Sequence, residues 1–464
     1  SSAPDFAAFN RLADDASWNG ILFLSVRVPL ASLPPQLVGL AAGIDADQFN
    51  AHHVGINVNP LARDLRQLAI DDSSLFGLIA YTSPGDLFFA DRAYDYKVAS
   101  LQVRFENSLI QQFSSQLLVL INQLFGEPAT LLRTSHGNNL VLDGVYQRQG
   151  DHDAYIFLRQ GDDTFTMTSG VLDDIAVQQV QFVTVNPPAG SSASAPIQAR
   201  FQLWGTLRFK PLAGFDALSF GPTLGADGEV VADGGLRFAN LALDLAFDPL
   251  ALTKAFAFNA RQLSFDLVHS RARATSLFQR FPLTLGALIQ ADDSTTPQSL
   301  GYAAVDAPLG PTGVKPPWFG LQFVLDLGTP GALAARVDFR ASLLAAWSPN
   351  PRGLSFFLGL ALPGTTGGKR ELTIQGALKL ATGGLQFTVS PDAEYMLRFT
   401  NIALKLFLLR FPPSGQTTVY LFGNPDRQAT DKALGWYAAY AKPGFVPPRP
   451  PGPPPIPTSL KCRR

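Results

Sequence analysis

The sequence predicts a predominantly all-β protein, with long antiparallel strands in repeated sheet units that form stacked sandwiches or one extended curved sheet, and a few short helices near the N-terminus. Three observations lead there. Glu occurs only five times and Lys ten, which removes two common helix-surface residues, while 40 Gly and 36 Pro punctuate the chain and 35 Phe supply bulky apolar positions. Apolar residues alternate with period two, as at Phe256 and Phe258, at Leu263, Phe265 and Leu267, and at Phe319, Leu321, Phe323, Leu325 and Leu327. Finally, Leu236-Arg237-Phe238-Ala239-Asn240-Leu241-Ala242-Leu243-Asp244-Leu245 recurs 161 positions later as Leu397-Arg398-Phe399-Thr400-Asn401-Ile402-Ala403-Leu404-Lys405-Leu406, with seven identities in ten. Both copies slip phase at the asparagine, which predicts a strand interrupted by a bulge and assigns Asn240 and Asn401 to bulges rather than to catalysis.

The elements follow in order. Residues 1–92 form a mixed segment with the clearest helical signals. Pro4-Asp5 precedes Phe6, Phe9, Leu12 and Ala13, and Pro60 opens a short stretch carrying Leu61, Leu65 and Leu68. Residues 93–185 are expected to be an antiparallel meander. Within it, 107–125 fits a strand through Leu117, Val119 and Ile121, and competes with a helix through Leu109, Phe113, Leu117, Leu120 and Leu124. The recurrence of Arg-Gln-Gly-Asp at 148–151 and 159–162 predicts a hairpin turn at each Gly-Asp.

Residues 186–198, rich in Pro, Ser, Ala and Gly, read as a linker or long loop. Residues 199–425 then form a repeated β-sheet region, with units near 201–247 and 372–408 and a weaker copy near 337–360. Extending the repeat upstream aligns Phe201 to Phe209 with Leu372 to Leu380, keeping Gly205 and Gly376 in step. Residues 426–464 comprise a last element around Trp436 and Tyr437 and a Pro-rich tail suited to polyproline II. The irregular period argues against a regular β-helix or propeller.

The same sequence excludes several kinds of function. The formal net charge is −1 with 16% charged residues and no long block of one sign, so no nucleic-acid partner is expected. No apolar run approaches the length of a transmembrane helix. The single cysteine, Cys462, precludes an intramolecular disulfide and a cysteine-rich metal site. Zinc-hydrolase, nucleophile-elbow, phosphate-loop and dinucleotide-binding motifs are absent, and no cofactor is expected. Adjacent His52 and His53 would point to opposite faces of a strand, which disfavours a shared metal, and His136 and His269 fall at turns or strand ends.

The densest polar cluster holds Asp151, Asp153, Asp162 and Asp163, the candidates for calcium, with Asp173 and Asp174 further on. The spacing is not that of an EF-hand, and aspartates in solvated turns account for the same pattern.

These readings predict a non-enzymatic β-rich repeat scaffold or binding segment, part of a larger secreted, surface or particle-associated polypeptide. The start at Ser1-Ser2 without a signal-like segment suits a piece of a longer chain. Its partners would be other protein chains or further domains of the same polypeptide. The alternative is a carrier of lipid or another hydrophobic ligand on a Phe/Leu-lined sheet face, and a further alternative is a polysaccharide-acting hydrolase whose carboxylates lie on separate strands. An outer-membrane barrel is disfavoured by strands such as 402–409, which carry Leu on both faces.

Overall fold

The computed structural model describes residues 20–30, 37–57, 75–83, 92–106, 109–132, 137–149, 152–167, 171–185, 196–210, 220–224, 227, 230–231, 235–248, 251, 253–267, 270–272, 283–306, 313–326, 340–349, 355–362, 371–374, 378–389, 395–406, 408–411, 416–422 and 435–441. They are mostly antiparallel strand, including one large sheet curled into a half-barrel. The helical signals near Phe6 and Leu61 lie outside the described residues.

The large sheet begins with β1 (Gly20–Arg27), β2 (Asn50–Asn57), β3 (Leu75–Thr82), β4 (Tyr94–Glu106) and β5 (Leu109–Ile121), each paired with the next. A small hairpin of β6 (Gln123–Leu124) and β7 (Glu127–Leu131) then turns aside. Next, β8 (Asn139–Gln149), β9 (His152–Met167), β10 (Leu172–Val185) and β11 (Ile197–Phe209) continue the meander, β8 pairing back onto β5 and β7 onto β9.

After β12 (Phe220–Leu224) and β13 (Val230–Val231), β14 (Leu236–Asp248) pairs with β11. The path ends at β15 (Thr253–Asn259), while β16 (Ser264–Phe265) also pairs with β14. β17 (Ser270–Ala272) joins β12 and β13 in a three-stranded sheet. Because β10 and β11 pair side by side, the large sheet continues on both sides of 186–198; the chain leaves it for β12 and β13, returns for β14 to β16 and leaves again at β17.

The curl can be measured. Four strand spacings separate β4 from β10, about 19 Å in a flat sheet, yet the Tyr96 ring on β4 stacks 5.7 Å from Phe182 on β10. It also lies 5.3 Å from Phe201 on β11. At the far end Lys254 on β15 donates to the Asp95 carboxylate on β4 at 2.7 Å and to the Tyr96 carbonyl at 2.9 Å. The concavity is filled by the chain itself. A short 3-10 helix, Val38–Gly43, lies against β4, β10 and β11 with Gly39, Leu40, Ala41 and Ala42 buried. The approach is closest at Gly43, where a Cβ would sit 2.7 Å from the Val98 amide nitrogen.

A five-stranded sheet packs on the large one. Its strands are β18 (Leu283–Gln290), β19 (Ala303–Ala304), β20 (Phe319–Asp326), β21 (Arg340–Ser348) and β22 (Ser355–Ala361), in the order β18-β20-β21-β22-β19. One face, with Leu343, Ala345, Trp347, Leu358 and Leu360, joins the core of the large sheet. The other, with Leu344, Ala346 and Phe357, packs on Tyr302 and Trp318.

Two further four-stranded sheets contain β23 (Glu371–Ile374), β24 (Leu378–Ala381), β25 (Gly384–Val389), β26 (Tyr395–Thr400), β27 (Ala403–Leu406), β28 (Leu409–Phe411), β29 (Gln416–Phe422) and β30 (Gly435–Ala441). Their orders are β23-β24-β27-β28 and β25-β26-β29-β30. Backbone bonds from the Asp306 amide to the Leu385 carbonyl and from the Phe387 amide to the Asp306 carbonyl tie the sheet of β25 to the segment that follows β19. Leu385, Phe387, Leu397 and Phe399 extend the same core.

The segment 109–121 is strand throughout, which resolves its competition with a helix. Its second half is buried on both faces, from Leu117 to Ile121. Burial on both faces erases the alternation, and the continuous apolar run imitates helical spacing.

The two Gly-Asp sites differ. Gln149 pairs with His152, while Gly150 and Asp151 between them lie outside the described residues. By contrast, Gly161-Asp162 lies inside β9, where two residues oppose Gln178 of β10. It is a bulge, not the expected hairpin turn, because Asp and Gly suit both irregularities equally.

Asn240 has φ 63° and lies where the β11–β14 register shifts between Leu203 and Gly205, so the phase slip is a bulge. Asn401 has φ 53° and goes further: the strand breaks there and passes from the sheet of β26 to that of β27. The strand flanking the motif also differs between the copies. It is β11 in the first, but β24 and β25 in the second, with β23 folded outside them as a hairpin. Strand pairing therefore does not follow the upstream alignment of Phe201 with Leu372.

Candidate functional site

The aspartates do not converge among the described residues. Asp151 lies outside them, and Asp153 is placed on β9 opposite Arg148. Asp162 is exposed at the β9 bulge. Asp163 is buried and held by the Arg159 guanidinium, whose Nη2 donates at 2.9 Å and whose Nε also donates. Asp173 is exposed, while Asp174 is buried and accepts from Arg208 Nε at 2.8 Å on both oxygens. Each buried aspartate therefore already has a guanidinium. Among the described residues no group of three His, Cys, Asp or Glu is placed to hold a metal ion.

His52 and His53 lie on β2 beside a register shift against β3. His53 has φ 53°, so the strand is bulged there and a regular two-residue alternation does not describe the pair. Burial, then the neighbouring His52, lowers the His53 pKa. His136 and His269 lie outside the described residues, and His152 is placed at the start of β9 opposite Gln149.

One ionisable group escaped the sequence reading. Glu127 opens β7, follows the left-handed turn Phe125-Gly126, and is 2% exposed. Burial pushes its carboxyl up to about 7, with the charge of Lys210 acting in the opposite direction. Lys210 is itself anchored, donating from Nζ to the Met167 carbonyl at 2.9 Å. The neighbouring turn is a joint between sheets. The Phe125 ring lies 5.0 Å from Phe258 on β15 and 5.4 Å from Phe319 on β20. Glu127 is thus a proton-binding group inside a structural joint. No local sequence signal marks it, because its burial is produced by elements far away in the chain.

The Phe-rich faces are covered. Phe319, Leu321, Phe323 and Leu325 are all buried, and Phe256, Phe258, Leu263 and Phe265 pack against the core. Leu327 lies outside the described residues, and Leu267 is exposed at the rim.

The apolar surface that remains is concentrated on β1. Ile21, Leu22, Phe23, Leu24 and Val26 are 56%, 42%, 53%, 65% and 37% exposed. Four of them are consecutive, so both faces of this strand are apolar. β1 pairs with β2 along one edge, and among the described residues no strand pairs with the other. An open edge presents unpaired backbone donors and acceptors, which suits addition of a strand. At its end Arg27 forms an exposed ion pair with Asp47.

No described helix is long and apolar enough to cross a membrane. No family model matches the chain, and neither a curated protein nor a solved structure matches it.

Proposed function

We propose that the chain is a non-enzymatic β-rich scaffold that binds another protein strand along the open edge of β1, as a segment of a larger secreted, surface or particle-associated polypeptide. The observation that carries this reading is the concentration of exposed apolar side chains on β1. Elsewhere the large sheet is packed against the 3-10 helix and the five-stranded sheet, so the body supplies rigidity and the edge supplies recognition.

The test is a photo-crosslinking residue placed at Leu24 in the full chain in its native host, with one at exposed Asp173 as the control position. Protein adducts specific to position 24 are expected. Lipid adducts at position 24 would replace the scaffold with the hydrophobic-ligand carrier, and adducts no more frequent than at position 173 would end the reading.

A further inference from the structure

We infer that the β6–β7 hairpin is a proton-operated latch between the large sheet and the five-stranded sheet, closed while the Glu127 carboxyl holds its proton and released when that carboxyl ionises. The latch does not depend on the use made of the β1 edge.

The hairpin has a fixed base and a lightly tied tip. At the base, β7 pairs with β9 from Ala129 to Leu131. Asn138 clamps the same stretch, its side chain accepting from the Leu131 amide at 2.9 Å and donating to the Ala129 carbonyl at 2.9 Å. The tip, residues 123–127, is held back by the short ladder of Gln123 with Pro128 and Leu124 with Glu127. One side-chain bond adds to it, from Gln123 Nε2 to the Gly126 carbonyl at 2.7 Å.

The turn of the tip is strained and held from outside. Phe125 and Gly126 have φ 49° and 75°, and a bulky residue at positive φ has to be kept there by its surroundings. Those surroundings belong largely to the five-stranded sheet. The Phe125 ring lies 5.4 Å from Phe319 and 6.4 Å from Trp347. Gly126 approaches so closely that a Cβ there would sit 2.5 Å from the Pro349 ring. The tip thus keeps its shape by being seated against the second sheet.

A carboxylate is badly placed in that seat. Glu127 is buried, and its Oε2 has no hydrogen-bond partner among the described residues. β9 brings Phe165, Thr166 and Met167 alongside β7, while β15, β20 and the end of β21 bring Phe258, Phe319, Trp347 and Pro349 to the turn. None of these carries a charge. Lys210 is the cation that bears on the carboxyl, and its Nζ is already donating to the Met167 carbonyl. Lys315, whose amide bonds to Ser348 Oγ, has an exposed side chain.

The direction follows from linkage. Seated, the carboxyl is pushed from 4.5 up to about 7, because burial outweighs Lys210. Released into water, it returns to its ordinary value. Rising pH therefore favours release, by up to about 300-fold once both values are passed.

The experiment is hydrogen exchange of the full chain at pH 5 and pH 8, read by mass spectrometry as protection relative to the unstructured-peptide rate at each pH. In the wild type, protection of residues 123–127 is expected to fall about 70-fold between the two, within the limit above. It should stay below that of the slowest β11 amides throughout. Glu127→Gln is expected to remove the fall. Lys210→Met, which takes away the opposing charge, is expected to carry the fall to higher pH.

Tip protection that does not change with pH in the wild type overturns the latch. So does a fall that persists in Glu127→Gln, or a Lys210→Met profile that is unshifted or moves to lower pH. Tip protection equal to that of the slowest β11 amides at both pH values overturns it too, because the carboxyl would then act on the stability of the whole chain and not on the joint.

Discussion

Glu127 shows how one buried carboxyl links the fold to pH. Its pKa rises from the ordinary value of 4.5 to about 7 because burial penalises the charged form. Below pH 4.5 the group is protonated in the folded and unfolded chain alike and contributes nothing. Between 4.5 and 7 the folded state holds its proton more tightly, so stability falls as pH rises through that window. Above about 7 the folded chain carries the whole cost of a buried carboxylate, on the order of 3 kcal/mol. Glu127→Gln keeps the size and removes the charge. Urea unfolding at pH 5 and pH 8 is therefore expected to show the wild type losing most of that amount and the variant losing little. Equal losses in the two proteins would mean that the carboxylate finds its counterion in Lys210 and is not strained.

The bulged strands explain which parts of the structure were readable from the chain and which were not. The phase slip at Asn240 and Asn401 was readable because a residue at positive φ favours Asn or Gly, so backbone geometry leaves a compositional trace. His53, at φ 53°, leaves a fainter trace, since no phase slip of apolar residues accompanies it in the sequence. Sheet membership is less readable still: Leu397 to Leu406 retains the motif while its strand divides between two sheets, a choice made by pairing partners rather than by the segment itself. The exposure of β1 was hidden for the same reason, because Ile-Leu-Phe-Leu reads as core until its neighbours are known. The polar signals fared differently, in that the aspartates were found and their guanidinium partners, on the same or neighbouring strands, were not.

Gly205 offers a direct test of the bulge in β14. It opposes Phe238 beside Asn240, and a Cβ there would sit 1.9 Å from the Ala176 carbonyl of β10, a contact that backbone must move to relieve. Gly205→Ala is expected to destabilise the chain by about 1–3 kcal/mol or more, as overpacking does. Asn240→Gly, which keeps the positive φ, is expected to cost under about 1 kcal/mol. Chemical denaturation of the two variants checks the order, and a larger loss for Asn240→Gly would mean that the Asn side chain, not the backbone, holds the bulge.

In the whole molecule, the large sheet and the five-stranded sheet share one core, so they should unfold together. One aromatic joint within that core is specific. Phe125, fully buried with φ 49°, touches Phe258, Phe319 and Trp347 at once, linking β15 to β20 and β21. Gln290 completes it, accepting from the Ala260 amide at 2.8 Å and donating to the Phe258 carbonyl at 2.8 Å. Replacing Phe125 by Ala removes a fully buried aromatic and is expected to cost about 3–5 kcal/mol. Because the lost contacts lie between the sheets and not within either, the cost should fall on their coupling. Native-state hydrogen exchange distinguishes the two cases. In the wild type, the slowest amides of β11 and β21 are expected to exchange with the same opening free energy. In Phe125→Ala those of β21 are expected to open at lower free energy than those of β11. A uniform fall in both strands would mean that Phe125 is one core residue among many, and that the sheets are held as a unit by the breadth of their contact.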